Sequence, residues 1–379
     1  MKKRIIAVII IFTFTLAAVI CAISAYTDRR SEIVTDKPTG KSDKSDRQVV
    51  KIGVIYPFSG NGAVYGDTAK VVIRQFFEEF NKDNHKYDYQ VLLQDNLSSP
   101  ATSVTLAHRF ADAEKVDVLV TFQSGPSLAV ASAVQNADVI HFANAADSKI
   151  VRYKRSLLAT SDPELKGKLL YGQLVKHGAK TVDVVVENSS GMEDWFEHFD
   201  REVEAGGELS IKNIFRLNDS ERDLRIVLAK IKNDNPDYVV LMIFKPLADV
   251  FLRQYKMAQV NIPLAGADTF NFLSDKSLAE GMWYVDGSAA TGDFRARILS
   301  ETGSNATYFG EHLDAILQIV TWAYETSGMV DKEEIIEYII NNSTGMPTSI
   351  GVIKTNPDGI IAGRMVVRKV QGGAIVGVD

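Results

Sequence analysis

At 379 residues, 46% hydrophobic and 24% charged, the chain is too long for one ordinary domain and suits two, with the composition of a globular protein. A net charge of −6 and the lack of any basic patch with interleaved aromatics argue against nucleic acid as a partner. The single cysteine, Cys21, sits near the N-terminus, which leaves the main body without disulfide, metal thiolate or thiol nucleophile.

The chain opens with a positive segment, Met1-Lys2-Lys3-Arg4, followed by the almost wholly apolar run Ile5 to Ala25. This pattern predicts an export signal over 1–25, with small residues near Ser24 and Ala25 for a signal peptidase. The run also reaches the roughly 20 residues that span a bilayer, so a retained anchor fits the same residues. Lipid attachment at Cys21 is a weaker fit, because Ile20 stands where a small residue is wanted. Residues 26–47 are rich in Asp, Lys, Arg, Ser and Thr, show no apolar period, and read as a flexible tether.

From Val49 strands and helices alternate. Val49–Pro57 is an apolar, β-branched run suited to a strand buried on both faces. Ala69, Val72, Ile73, Phe76 and Phe80 then repeat at helical spacing. Strand 89–94, helix 100–114, strand 116–122, helix 126–136 and strand 139–144 follow. The pattern restarts with helix 164–177, strand 181–187, helix 193–205, strand 209–216, helix 221–232, strand 238–244, helix 247–258 and strand 263–267. Asp219-Ser220 is read as the N-cap of the helix expected at Glu221. Helices at 309–326 and 332–341 come next, then short strands within 351–378, two of them joined at Asn356-Pro357-Asp358-Gly359. Strands separated by helices of this length mean βαβ units and parallel sheets. The fold class is therefore α/β, with two similar lobes of parallel sheet flanked by helices.

Three strand-to-helix loops are small and polar: Pro57 to Gly62, Gln123 to Ser127, and Asn144 to Ser148. In a parallel sheet they lie at the carboxyl ends of strands, where such sheets bind ligands. Free N–H groups at the following helix starts suit a carboxylate or phosphate. Gly60 to Gly66 comes near a dinucleotide fingerprint, but it does not open directly off the strand, and Asp95 is too late to hold a ribose. The six histidines are scattered without metal-ligand spacing. No nucleophile elbow or phosphate loop is present. Glu193-Asp194 could be an acid pair, but acids in a first helical turn also complement the dipole. No catalytic residue, metal or cofactor is assigned.

The segments Lys51–Gly60 with Tyr65-Gly66-Asp67, Leu119–Ser132 and Asp237–Gln254 carry a resemblance in their order and spacing. From about residue 49 to near the end, the chain resembles the extracytoplasmic substrate-binding proteins of ABC transporters, of the leucine/isoleucine/valine-binding group with the type I periplasmic-binding fold. The resemblance implies a clamshell of two lobes joined by three crossings, which closes over one ligand. It places crossings near Ser161, Asp286 and Gly351, so lobe 1 takes 48–161 with 287–350 and lobe 2 takes 162–286 with 351–379. It further implies an exported monomer, a small amino-acid-like ligand, an ABC permease as partner, and no enzymatic activity.

By the same resemblance, Ser124 and Gly125 with the backbone of Ala145, Ala146 and Asp147 would hold a ligand carboxylate. Asp268 would take part of the ammonium, Tyr65 would close over the ligand, and Phe244 would form a wall. Asp147 stands where threonine or serine is common. It either attracts an extra amine or caps the following helix and never touches ligand. Gly191 aligns with a second-lobe tyrosine and leaves that wall open unless Trp195 fills it. These two departures point toward a hydroxylated, amidated or cationic amino compound. A ligand sensor for a membrane receptor and an exported α/β enzyme using Asp147, Asp268 or Glu193 are the alternatives.

Overall fold

The structure is a computed structural model that describes residues 32–33 and 47–378, apart from 268–269, 288–289, 304–306 and 308. The expected leader 1–25 lies outside the described residues, as does the tether 26–47 save Glu32, Ile33 and Arg47.

In chain order the first lobe contains β1 (Glu32–Ile33), β2 (Val49–Tyr56), α1 (Ala63–Phe80), β3 (Asp88–Asp95), α2 (Pro100–His108), β4 (Val118–Phe122), α3 (Ser124–Val134), β5 (Ile140–Asn144) and β6 (Ser156–Ala159). The second contains α4 (Pro163–Lys176), β7 (Thr181–Glu187), α5 (Ser190–Gly206), β8 (Ser210–Leu217), α6 (Arg225–Asp234), β9 (Tyr238–Met242), α7 (Leu247–Met257), β10 (Leu264–Ala267) and β11 (Trp283–Asp286). The chain returns to the first lobe through α8 (Gly292–Thr302), α9 (Gly310–Ser327) and α10 (Lys332–Asn342). The two-residue strands β12 (Pro347–Thr348) and β13 (Gly351–Val352) pair with each other. β14 (Lys354–Thr355) and β15 (Ile360–Ala362) follow, and β16 (Val366–Gln371) and β17 (Ala374–Val378) end the described chain.

The first sheet has the order β1-β3-β2-β4-β5-β6-β15-β14 and the second β17-β16-β11-β10-β9-β7-β8. The pairs from β3 to β15 are parallel, as are those from β11 to β8, while the outer strands run antiparallel. Central strands such as Val118–Phe122 are buried throughout, as both-sided helix cover requires. In the first lobe, α1 and α9 cover one face around Ile73, Phe77 and Ile316, and the other face closes over Phe110, Leu119 and Val130. In the second lobe, α5 packs Trp195 and Phe199 on one face, and α6 and α7 pack Leu228 and Phe251 on the other.

Several sequence expectations need correction. The helix expected over 100–114 is α-helical only to His108 and continues to Glu114 as a wider π turn. The four-residue strands β6 and β11 and the helix α8 carry weak sequence signals and were not expected. Asp219-Ser220 caps no helix: α6 starts at Arg225 behind Leu224. Leu224 is buried and gives its N–H to Gln254 Oε1 at 2.9 Å, so tertiary packing rather than the cap sets that boundary. The third crossing falls at 363–365 and not near Gly351, because β15 pairs with β6 in the first sheet and β16 with β11 in the second. The turn at Asn356 forms as expected, its Oδ1 accepting from Asp358 N at 3.1 Å and Ile360 N at 2.8 Å.

Phe110 is fully buried in the π turn, against the backbone of β2 at Gly53. Phe110→Ala is expected to lose about 3–5 kcal/mol of stability through the cavity it leaves, read as a lower urea midpoint with an unchanged slope.

Candidate ligand-binding cleft

The two parallel sheets face each other with the carboxyl ends of their strands. Between them lies a cavity of about 1070 Å³, lined from both lobes. On the first lobe the loop after β2 reaches it through a close chain fold. A Cβ on Gly66 would lie 2.5 Å from Pro57 O and 2.6 Å from Phe58 Cα, so only glycine lets α1 start this near the strand end. Asp95 ties the loop down, accepting from Phe58 N at 3.0 Å and from Ser59 Oγ at 2.5 Å. That is the role of an acid which the sequence ruled out as a ribose holder.

Tyr65 then lines the cavity, its ring 5.0 Å from Phe122 and 6.3 Å from Phe309. Phe309 in turn meets Phe272 of the second lobe edge-on at 5.2 Å, so an aromatic contact bridges the lobes on this side. Phe122, Phe272 and Phe309 line the cavity as well. They could not be picked out as site residues before the lobes were seen together.

Ser124 is the first residue of α3, and Gln123 before it has φ 69°, a strained conformation for a residue with a Cβ. Ser124 Oγ accepts from Ala146 N at 3.1 Å, which joins two of the predicted loops. Ser124, Gly125, Ala145 and Ala146 all line the cavity. Asn144 braces the floor, donating to Tyr56 Oη at 3.1 Å and Phe309 O at 3.0 Å.

Asp147 does not line the cavity. It is fully buried, and Oδ1 accepts from Lys149 N at 3.0 Å to cap the short helical turn at Ser148. Oδ2 is buried near Ser190 without a well-formed hydrogen bond. Burial holds this carboxyl above its usual range, and Asp194 nearby adds to the shift.

Gly191 is not an open wall either. A Cβ there would lie 2.6 Å from Ser124 Oγ and 3.0 Å from Ala146 Cβ, so this is where the lobes touch. Beside it Asp194, buried on α5, accepts from Ser148 N at 3.0 Å and Ser148 Oγ at 2.8 Å across the seam. Lys149 pairs with Glu197 at 2.8 Å. Glu193 instead pairs with Arg216 at 2.8 Å within the second lobe.

The second lobe presents Phe244 and Trp195 to the cavity, ring centroids 6.3 Å apart. It also presents Glu187, which the sequence reading passed over. Glu187 ends the buried strand β7 and is 7% exposed, with Oε2 accepting from Phe244 N at 2.8 Å. Burial raises its carboxyl pKa, with Asp219 contributing. The available signal was an acid closing an apolar strand at its carboxyl end. Asp268 lies outside the described residues.

A family model described as periplasmic binding protein matches residues 49–374. The chain belongs to that family. Among relatives, the Leu/Ile/Val-binding protein BraC3 of Rhizobium johnstonii is 21% identical over 318 residues, 80% of this chain and 86% of that protein. The leucine-binding protein LivK of Thermotoga maritima superposes with a TM-score of 0.75 at 19% identity, covering 87% of this chain and 98% of its own. An ABC-transporter solute-binding protein of Rhodopseudomonas palustris BisB5, solved with 3,4-dihydroxybenzoic acid, has the same score and identity, covering 87% and 96%. The fold is the type I periplasmic-binding fold. Among the described residues no helix is long and apolar enough to cross a membrane.

Two outcomes are expected from this geometry. Gly191→Leu places a side chain where Ser124 and Ala146 stand and should hold the lobes apart, read as a larger radius of gyration by small-angle scattering. Glu311 in the first turn of α9 is buried, and burial pushes its carboxyl from 4.5 to about 7. The folded state then holds this proton more tightly than the unfolded chain, so the contribution falls as pH rises from about 4.5 to 7 and is level above. Glu311→Gln should flatten that part of the melting-temperature profile relative to the parent.

Proposed function

We propose that this protein is the solute-binding component of an ABC importer, capturing an amino-acid-like small molecule between its lobes by hinge closure. The observation that carries the reading is the cavity itself, walled by the Ser124 and Ala145–Ala146 loops on one lobe and by Glu187, Trp195 and Phe244 on the other. Groups on both lobes can reach one ligand only when the lobes are together, which is how binding energy becomes closure.

Donors at the start of α3 suit a carboxylate, and Tyr65 stands ready to close over the ligand. At about 1070 Å³ the cavity is large for a small-molecule site, so a ligand with a sizeable side chain fits better than a minimal one. The relatives named above are a Leu/Ile/Val-binding protein, a leucine-binding protein and a protein solved with 3,4-dihydroxybenzoic acid, and the aromatic lining here is compatible with a planar group. The partner is an ABC permease, and the protein acts as an exported monomer on the outer side of the cytoplasmic membrane.

The test is thermal unfolding of the purified protein against amino acids, amides, polyamines and aromatic or short-chain acids. A ligand at a hundred times its dissociation constant should stabilise by ~2.7 kcal/mol, a rise of roughly 2 °C or more. A response confined to compounds bearing a carboxylate and an amine supports the reading. No response from any compound, with ligand-free folded protein, overturns it.

A further inference from the structure

Resting on the reading above, we propose that Glu187 with the rings of Trp195 and Phe244 forms the seat for a ligand ammonium group. The carboxylate is built into the lobe rather than hung on its surface. Its Oε2 is anchored by the Phe244 N–H at 2.8 Å, and the residue is only 7% exposed. Among the described residues Oε1 has no protein partner and is not sealed off, while Glu187 lines the cavity.

A buried carboxylate without a cation is costly unless something neutralises it. The basic groups nearby are committed elsewhere. Arg222 gives Nη1 to the carbonyls of Asp219 and Glu221, each at 2.7 Å. Lys245 lies 3.9 Å from Asp249. Lys166 stacks its Nζ on the Trp195 ring at 2.9 Å and does not line the cavity.

The same bond that anchors Glu187 fixes Phe244 beside it, and Phe244 stands 6.3 Å from Trp195 at an interplanar angle of 45°. A carboxylate that shares one cavity wall with two aromatic rings attracts an organic ammonium through its charge, and the rings add to that attraction. Burial raises the carboxyl pKa, with Asp219 adding to the shift. Asp147, the acid singled out from sequence for an extra amine, is sealed at the seam, whereas Glu187 lines the cavity, with the acid Asp219 also on its wall to favour a cation there.

Weak fragments test the seat without knowledge of the whole ligand. The indole N–H resonance of Trp195, assigned with Trp195→Phe, is followed by NMR as n-propylammonium chloride or sodium propionate is added at matched ionic strength. A saturable shift with propylammonium, absent with propionate and at least tenfold weaker in Glu187→Gln, is the expected result. Glu187→Gln keeps an oxygen for the Phe244 N–H, and an unchanged melting temperature verifies its fold. An equal shift with propionate, no shift with propylammonium, or an unchanged response in Glu187→Gln overturns the assignment. The wider amino-acid reading fails separately, by silence of the whole compound panel while the fragment response at Trp195 persists.

Discussion

The close approach of Gly191 to Ser124 and Ala146 is the contact on which the cleft depends. Two parallel sheets can aim their strand ends at each other, but helix starts and loops hold them apart unless one side chain is missing at the meeting point. With a Cβ required to sit 2.6 Å from Ser124 Oγ and 3.0 Å from Ala146 Cβ, a side chain at 191 displaces the Ser124 hydroxyl, and a large one pushes α5 off α3. The hydrogen bonds of Ser148 to Asp194 can form only after that approach. The aromatic bridge of Phe272 to Phe309 holds the other side. Between these two points the cavity takes its width.

The central strands and most of the helices could be read from the chain because local signals and tertiary fate agree there. Val49–Tyr56 is β-branched and buried on both faces, and α1 shows its apolar stripe at helical spacing. β6 and β11 were missed because four residues carry too little pattern to stand out. The start of α6 was misplaced because Asp219-Ser220 has cap chemistry, yet Leu224 is held by Gln254 of α7. The third crossing was misplaced because sheet membership of Ile360–Ala362 is decided by β6, some 200 residues earlier in the chain.

The site was legible in a different proportion. The loops at Ser124, Ala145 and Ala146, together with Tyr65 and Phe244, do line the cavity, because position at a parallel strand end is a property of topology. Asp147 and Gly191 turned out to be seam residues. Whether a loop residue points at solvent, ligand or the opposite lobe depends on how the lobes sit, which no local pattern encodes. Glu187 was missed for the same reason: its meaning comes from Phe244, 57 positions away.

The three crossings have a consequence of their own. Two of them leave the neighbouring strands β6 and β15, where Thr160 N donates to Ile361 O at 3.0 Å, and on the far side β11 and β16 are again neighbours. Asp286 and Arg368 pair at that second margin. Strands bonded side by side at both ends of a hinge resist twisting and splaying, which leaves bending about one axis as the soft motion. Closure over anything held between the lobes would then run along a single mechanical coordinate. A surface touching both lobes from outside would read an angle, whatever the chemistry inside the cleft.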